Sequence, residues 1–339
     1  MFRSLALILL LLGLAHCASI EVKNQFAGCE KITIGPGLED FALLEKGSDT
    51  AIIVSSHERR GWKVPGDIFS LNLKTRKAKK LTRSGEPAAL FFAPHGIDLF
   101  KNGQDTLVYV VNHGAEMNDN DQSILIYRLQ GDALEFLVQV RDDLINSPND
   151  ISVTETGNFY VTNDHGSRGS FWEVLWGLKR SKITYCRLNS FTVNLGATCK
   201  VAAENIAMAN GILAERGKVY VSATREDKVY AFTRNADNTL SERKVIGEVP
   251  GPDNLFTAEN QLMTASHTSN WKFFRHASSG DNKAPSYIVR IDPEAKAVKG
   301  IYFDKGEEIS AASGAFVYKN RLYISQVFED FLLECKPAP

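Results

Sequence analysis

Residues 217–235, GKVYVSATREDKVYAFTRN, decide the reading of the fold. Lys218 to Ala223 and Lys228 to Thr233 are runs of β-branched and aromatic residues, and the polar stretch at Arg225 to Asp227 between them is a turn, so the segment is a β-hairpin. Its first strand has echoes: GNFYVT at 157–162 and NRLYIS at 320–325 repeat the pattern of KVYVS. Similar short runs, among them Thr50 to Val54, Asp67 to Leu73, Thr106 to Val111, Ile124 to Leu129 and Tyr287 to Ile291, are separated by Gly, Asn and Asp. Loose recurrence of strand pairs and triplets over tens of residues is what a β-propeller leaves in a sequence, each blade being a four-stranded antiparallel sheet. About 320 all-β residues, those left once the N-terminal segment discussed below is removed, at about 50 residues per blade predict a six-bladed β-propeller. A seven-bladed ring or a pair of β-sandwiches fits the strand density nearly as well.

Composition narrows the class. Hydrophobic residues at 44% and charged residues at 23% describe a soluble globular protein with a sizeable core. The net charge of -1, without a basic run, gives no reason to expect a nucleic-acid partner. At the N-terminus, Arg3 precedes an apolar run from Leu5 to Ala15 that is too short for a bilayer-spanning helix of about 20 residues. Small residues at Ala15 and Cys17 suit cleavage after Cys17. Residues 1–17 are therefore expected to be the signal peptide of a secreted protein, with a retained apolar anchor or a lipidated Cys17 as alternatives. Residues 18–339 are expected to form a single propeller domain.

Removing that segment leaves Cys29, Cys186, Cys199 and Cys335. An even number in an exported chain suggests two disulfides, with three connectivities open and four free thiols as the alternative. A ring-shaped fold brings its ends together, which would join Cys29 to Cys335 and leave Cys186 and Cys199 to pair locally. One segment departs from strand pattern: SFWEVLWGLK at 170–179 places Phe171, Trp172, Leu175, Trp176 and Leu178 largely on one helical face. It reads as a short helix, either packed on the propeller or serving as a lid or a lipid-facing surface, since Trp favours interfaces.

Polar clusters stand beside many of the strand-like runs: Glu39-Asp40, His95, His113, Asn149-Asp150, Asn163-Asp164-His165, Asn210 and Asp253-Asn254. Nearly all are oxygen donors, which suits a hard cation such as Ca²⁺ and not zinc. Adjacent strand residues project to opposite sides, so Glu39-Asp40 and Asn149-Asp150 can each give one residue to one ion and the next to a second. Taken singly, any of these pairs is what an ordinary turn carries.

Together they resemble the paraoxonase/arylesterase family. GLED, PHGI, VVNH, NDI, FYVTNDH, ANGI, DN and the closing VYKNRLYISQVF with LEC stand in the family's order from Cys29 to Cys335. The resemblance implies a six-bladed propeller with two calcium ions in its central tunnel. It implies a catalytic calcium held by Glu39, Asn149, Asn210, Asp253 and Asn254, and a structural calcium held by Asp40, Asp150 and the backbone carbonyl of Ile97. His95 and His113 match the family's histidine dyad, and the terminal cysteines match its ring-closing disulfide. Chemistry then follows for a lactone or ester: the ion stabilises the oxyanion, His95 is the base for water, His113 orients it, and Asp253 is a rival base. His165 is expected to support the structural ion. The expected activity is hydrolysis of lactones and aryl esters, with weak phosphotriesterase activity at most. A non-catalytic membrane-associated or chaperone protein of the same family, and a sugar-lactonase or strictosidine-synthase-like propeller, are the alternatives. SSHERRGWKVPGD at 55–67 departs from the family's active-site loop, Ser266 stands where mammalian members carry a cysteine, and Cys186 and Cys199 are extra.

Overall fold

The computed structural model describes residues 22–46, 49–115, 121–189, 196–258 and 261–339; the expected signal segment lies outside the described residues. The opening hairpin forms from the two strands read in the sequence, with Val219 opposite Phe232 and Val221 opposite Tyr230. Its turn is a single 3-10 turn, Thr224–Glu226, closed by Asp227 in the left-handed region at φ 54°. Tyr230 and Phe232 pack against Tyr160 and Ile183 of the preceding sheet. Val229, projecting the other way, packs with Leu255, Leu262 and Val289 of the following sheet. Alternation along one strand thus feeds two cores, one on each side of the blade.

Six sheets follow this plan, five of four strands and one of five. Their innermost strands are Phe41–Lys46, Ala93–Asn102, Pro148–Val153, Ala209–Glu215, Pro252–Ala258 and Ala312–Tyr318. Successive members of this set pack against one another around the axis. The circle closes where Ser313 Oγ donates to the carbonyl of Glu39, just before the first of them. The last sheet takes its outermost strand, Phe26–Thr33, from the N-terminus and pairs it with Phe331–Pro337 from the C-terminus. Cys29 and Cys335 are bonded across this seam, 306 residues apart in sequence. Cys186 and Cys199 are bonded between the neighbouring strands Ser181–Leu188 and Ala197–Ile206.

The segment read as amphipathic is the helix Phe171–Trp176, ended by Gly177 in the left-handed region. Its orientation differs from a helix packed on the propeller. Glu173 is the buried residue, accepting from the backbone N–H of Gly166 and Ser167, while Phe171, Trp172, Leu175 and Trp176 are exposed. A second helix, Asn270–Ser278, capped by Ser269, also exposes Trp271 and Phe274. Both helices, and the loop bearing Val64, connect the second and third strands of their sheets. In a ring of up-and-down sheets such connections share one face.

Candidate metal centre and active site

The innermost strands break their ladders where chemistry was expected. Register shifts fall between Pro94 and Ile97, Pro148 and Ile151, Ala209 and Ile212, Pro252 and Leu255, and Ala312 and Ala315. The residues freed from pairing are His95-Gly96, Asn149-Asp150, Asn210-Gly211, Asp253-Asn254 and Ser313-Gly314. Glu39-Asp40 immediately precede the sixth such strand. A bulge re-aims side chains, so one repeated backbone feature turns these dipeptides out of the sheets. Two glycines let neighbouring strands close in: a Cβ on Gly96 would lie 2.6 Å from the Cα of Asp150, and one on Gly211 would lie 2.6 Å from the carbonyl oxygen of Asp253.

Glu39, Asn149, Asn210, Asp253 and Asn254 are all buried. Among the described residues, the buried side-chain oxygens left without a hydrogen-bond partner are Glu39 Oε2, Asn149 Oδ1, Asn210 Oδ1, Asp253 Oδ1 and Asn254 Oδ1. Buried polar atoms are normally satisfied, and here one orphan oxygen comes from each member of the expected catalytic set. Asn254 donates to Glu39 Oε1 and to its carbonyl, both at 3.1 Å, which ties two of the five together. Among the described residues no three His, Cys, Asp or Glu side chains converge as a metal cluster. The donors are two carboxylates and three amides, chemistry that fits an oxygen-seeking divalent cation.

Asp40 and Asp150 are satisfied differently. Asp40 Oδ2 accepts from Ile97 N–H and Asp150 Oδ2 from Ile212 N–H, each at 2.8 Å, and each bond joins one innermost strand to the next. Burial pushes both carboxyl groups well above the usual range, and Asp40 is raised further by Asp150 and Glu39. Two like charges buried together favour a bound cation or a proton. Glu39 goes the other way: burial acts to raise it, but His95 and Arg59 more than offset that and bring it to about 2.

His95 and His113 are brought together, His113 Nε2 lying 3.0 Å from His95 Nδ1. His95 Nε2 faces Glu39 Oε1 at 3.5 Å, so the pair abuts the oxygen ring. Burial, then His95 and Arg59, hold His113 well below the ordinary histidine value. His165 bonds Asp164 at 2.6 Å, and Asp164 also feels His113, which places it on the histidine side of the site.

Three participants were not foreseen. His267 Nε2 bonds Asp253 Oδ2 at 2.8 Å in a buried pair. Gln122 Oε1 meets His113 Nδ1. Arg59, from the departing loop, reaches His95 Nδ1 at 2.8 Å and the carbonyl of Pro94 at 2.9 Å. A signal for His267 was present: His57, His113, His165 and His267 each stand at or just after the end of the second strand of a sheet. No local pattern announces Arg59.

Fold and site together define a six-bladed propeller with a buried ring of oxygen donors and histidines at its centre. The arylesterase family model matches residues 49–336. Serum paraoxonase/arylesterase 2 of Gallus gallus is 28% identical over 314 residues, covering 87% of this chain and 84% of that protein. Serum paraoxonase/lactonase 3 of Homo sapiens is 28% identical over 313 residues, covering 87% and 85%. Among solved structures, a gluconolactonase from Xanthomonas campestris superposes with a TM-score of 0.57 at 15% identity, covering 91% of this chain and 89% of that one, a likeness of fold. The chain belongs to the arylesterase family.

Proposed function

We propose that this protein is a secreted, calcium-dependent hydrolase of lactones and aryl esters. Glu39, Asn149, Asn210, Asp253 and Asn254 would hold the catalytic ion, and Asp40, Asp150 and the Ile97 carbonyl a structural one. The observation that carries this reading is the set of five orphan oxygens buried beside two histidines in a member of the arylesterase family. The names of the relatives, paraoxonase/arylesterase and paraoxonase/lactonase, support the substrate class. Presence of every ligand and both histidines speaks against a non-catalytic protein. Residues 1–17 are proposed as its signal peptide or retained anchor. The exposed Phe171, Trp172, Leu175 and Trp176, with Trp271 and Phe274 on the same face, support contact with a lipid surface.

Bound calcium would polarise the substrate carbonyl and stabilise its oxyanion. Asn254 holds Glu39 in place, and the carboxylates of Glu39 and Asp253 match the ion's charge. His95 takes the proton of the attacking water, positioned by His113; the water oxygen bonds the carbonyl carbon, the acyl–oxygen bond breaks, and the leaving oxygen is protonated. A second reading puts Asp253 in the role of base. It is favoured by the His267 bond that fixes Asp253 and by Arg59, an obligate donor occupying His95 Nδ1.

A panel of a γ-lactone, phenyl acetate and an organophosphate triester tests the function: lactone and aryl ester are expected to turn over, the triester poorly. Within it, His95→Gln should lower lactone turnover by ~10²–10⁴ with calcium still bound. Near-normal turnover in His95→Gln, with Asp253→Asn inactive but still metal-bound, would transfer the base to Asp253.

A further inference from the structure

Two arginines adjoin in the loop between strands Asp49–Ser56 and Asp67–Asn72, and they are treated unequally. Arg60 is exposed, pairs with Glu329 at 2.9 Å and bonds the carbonyl of His276, pinning the loop to helix Asn270–Ser278. Arg59 is only 9% exposed, yet among the described residues it has no carboxylate within ion-pair distance. Its two hydrogen bonds go to a ring nitrogen of His95 and to the Pro94 carbonyl, neither of them an anion, and its Nε has no partner. Trp62 lies 5.6 Å from the guanidinium carbon, closing one side. Glu39 feels its charge without bonding to it.

A buried cation with no carboxylate in direct contact is costly, because neither water nor a hydrogen-bonded anion repays its desolvation. Here it is kept at the edge of the catalytic pocket, on the candidate base. The ring's two carboxylates already balance one divalent ion, so Arg59 leaves the pocket with an excess positive charge. A guanidinium is the side chain best shaped to take a carboxylate.

We propose that Arg59 is a specificity-determining residue that binds an anionic group of the substrate, so that the preferred substrate is an ester or lactone carrying a second, free carboxylate near the scissile carbonyl. This rests on the hydrolase reading of the site. The orphan Nε supplies one donor, and the Nη groups now engaged with His95 and Pro94 supply the rest when the anion arrives.

The test compares the calcium-loaded full protein on two esters matched in size, the monophenyl ester of succinate and phenyl methyl succinate. Wild type should favour the carboxylate ester by about tenfold or more in kcat/KM, the scale of a charge-assisted bond. In Arg59→Gln that ratio should fall to about one or below, and Arg59→Lys should keep part of it. Independently of turnover, succinate should bind the calcium-loaded wild type in calorimetry and bind calcium-loaded Arg59→Gln about tenfold more weakly. If Arg59→Gln does not fold, the wild-type ratio and succinate binding decide. Hydrolysis of both esters without preference, or a preference that survives in Arg59→Gln, overturns the assignment and leaves the hydrolase intact. If neither ester is cleaved and succinate still binds through Arg59, the hydrolase reading fails and the anion site stands.

Discussion

The ends of the innermost strands and the 57–66 loop both place charge in the same pocket, and they hold it by different means. At the strand ends, Asp40 and Asp150 are fixed by N–H groups of the next strand, and Glu39 is fixed by the Asn254 amide. Asn149, Asn210, Asp253 and Asn254 sit at breaks in ladders that are otherwise continuous, and Glu39 stands just before its strand. In the loop, Arg59 is held only by a ring nitrogen and one carbonyl, and Arg60 by a partly exposed pair. Rigid elements thus carry the positions that must converge on one point. The loop carries charge that can differ between relatives without disturbing the ring.

Substitutions can break this comparison. Glu39→Gln removes one of two carboxylates from the ring and should lower kcat/KM by about 10³ or more, through lost transition-state charge stabilisation. Arg59→Gln should change the rate on a neutral ester far less; equal losses would erase the distinction between ring and loop. Asp40→Ala leaves the Ile97 N–H buried without its acceptor and should cost about 1–3 kcal/mol, read as a lowered Tm. Asn254→Ala should instead lower turnover more than Tm, and the reverse order for the pair would contradict the two assigned roles. Arg60→Ala should cost no more than about 1 kcal/mol, because its pair with Glu329 is partly exposed.

The smallest effect depends on pH and sharpens the contrast at the rim. Glu226 accepts from Ala207 N–H and Tyr230 and pairs with Lys179 beside helix Phe171–Trp176. Burial acts to raise its pKa, but Lys179, Ala207 and Tyr230 outweigh that and hold it below the ordinary 4.5. A carboxylate depressed on folding stabilises the protein above 4.5, and that contribution disappears as pH falls through the lowered value. Stability curves of wild type and Glu226→Gln should therefore converge on acidification below 4.5; a gap that widens would refute the sign.

Much of this arrangement was legible because it is local. The hairpin at 217–235 shows its strands and turn within nineteen residues. The dipeptides proposed as ligands were visible as polar pairs next to strands, and their order carried the family resemblance. The recurrence of a polar or small pair followed by an apolar residue at 38–41, 94–97, 148–151, 209–212, 252–255 and 312–315 also marks the six innermost strands directly, Ser313-Gly314 included. What could not be read locally were contacts made by loops. Arg59 meets His95 across 36 residues, and nothing in SSHERRGWKVPGD distinguishes the arginine that is buried from the one that is paired. Helix Phe171–Trp176 shows the same limit: its apolar face was correct, but the buried side is set by Glu173 bonding two backbone N–H groups, so the aromatics face outward.

Five buried oxygens held for one cation are the centre of the proposed site, and calcium itself tests that most directly. The full protein is stripped with EGTA, its calcium content is measured, and lactone hydrolysis is followed as calcium is returned, in wild type and in Glu39→Gln. Stripped wild type is expected to be inactive, calcium to restore turnover as the ring fills, and Glu39→Gln to bind one ion fewer and stay inactive at the same calcium concentration. Full lactone turnover by the calcium-free protein would contradict the proposed site.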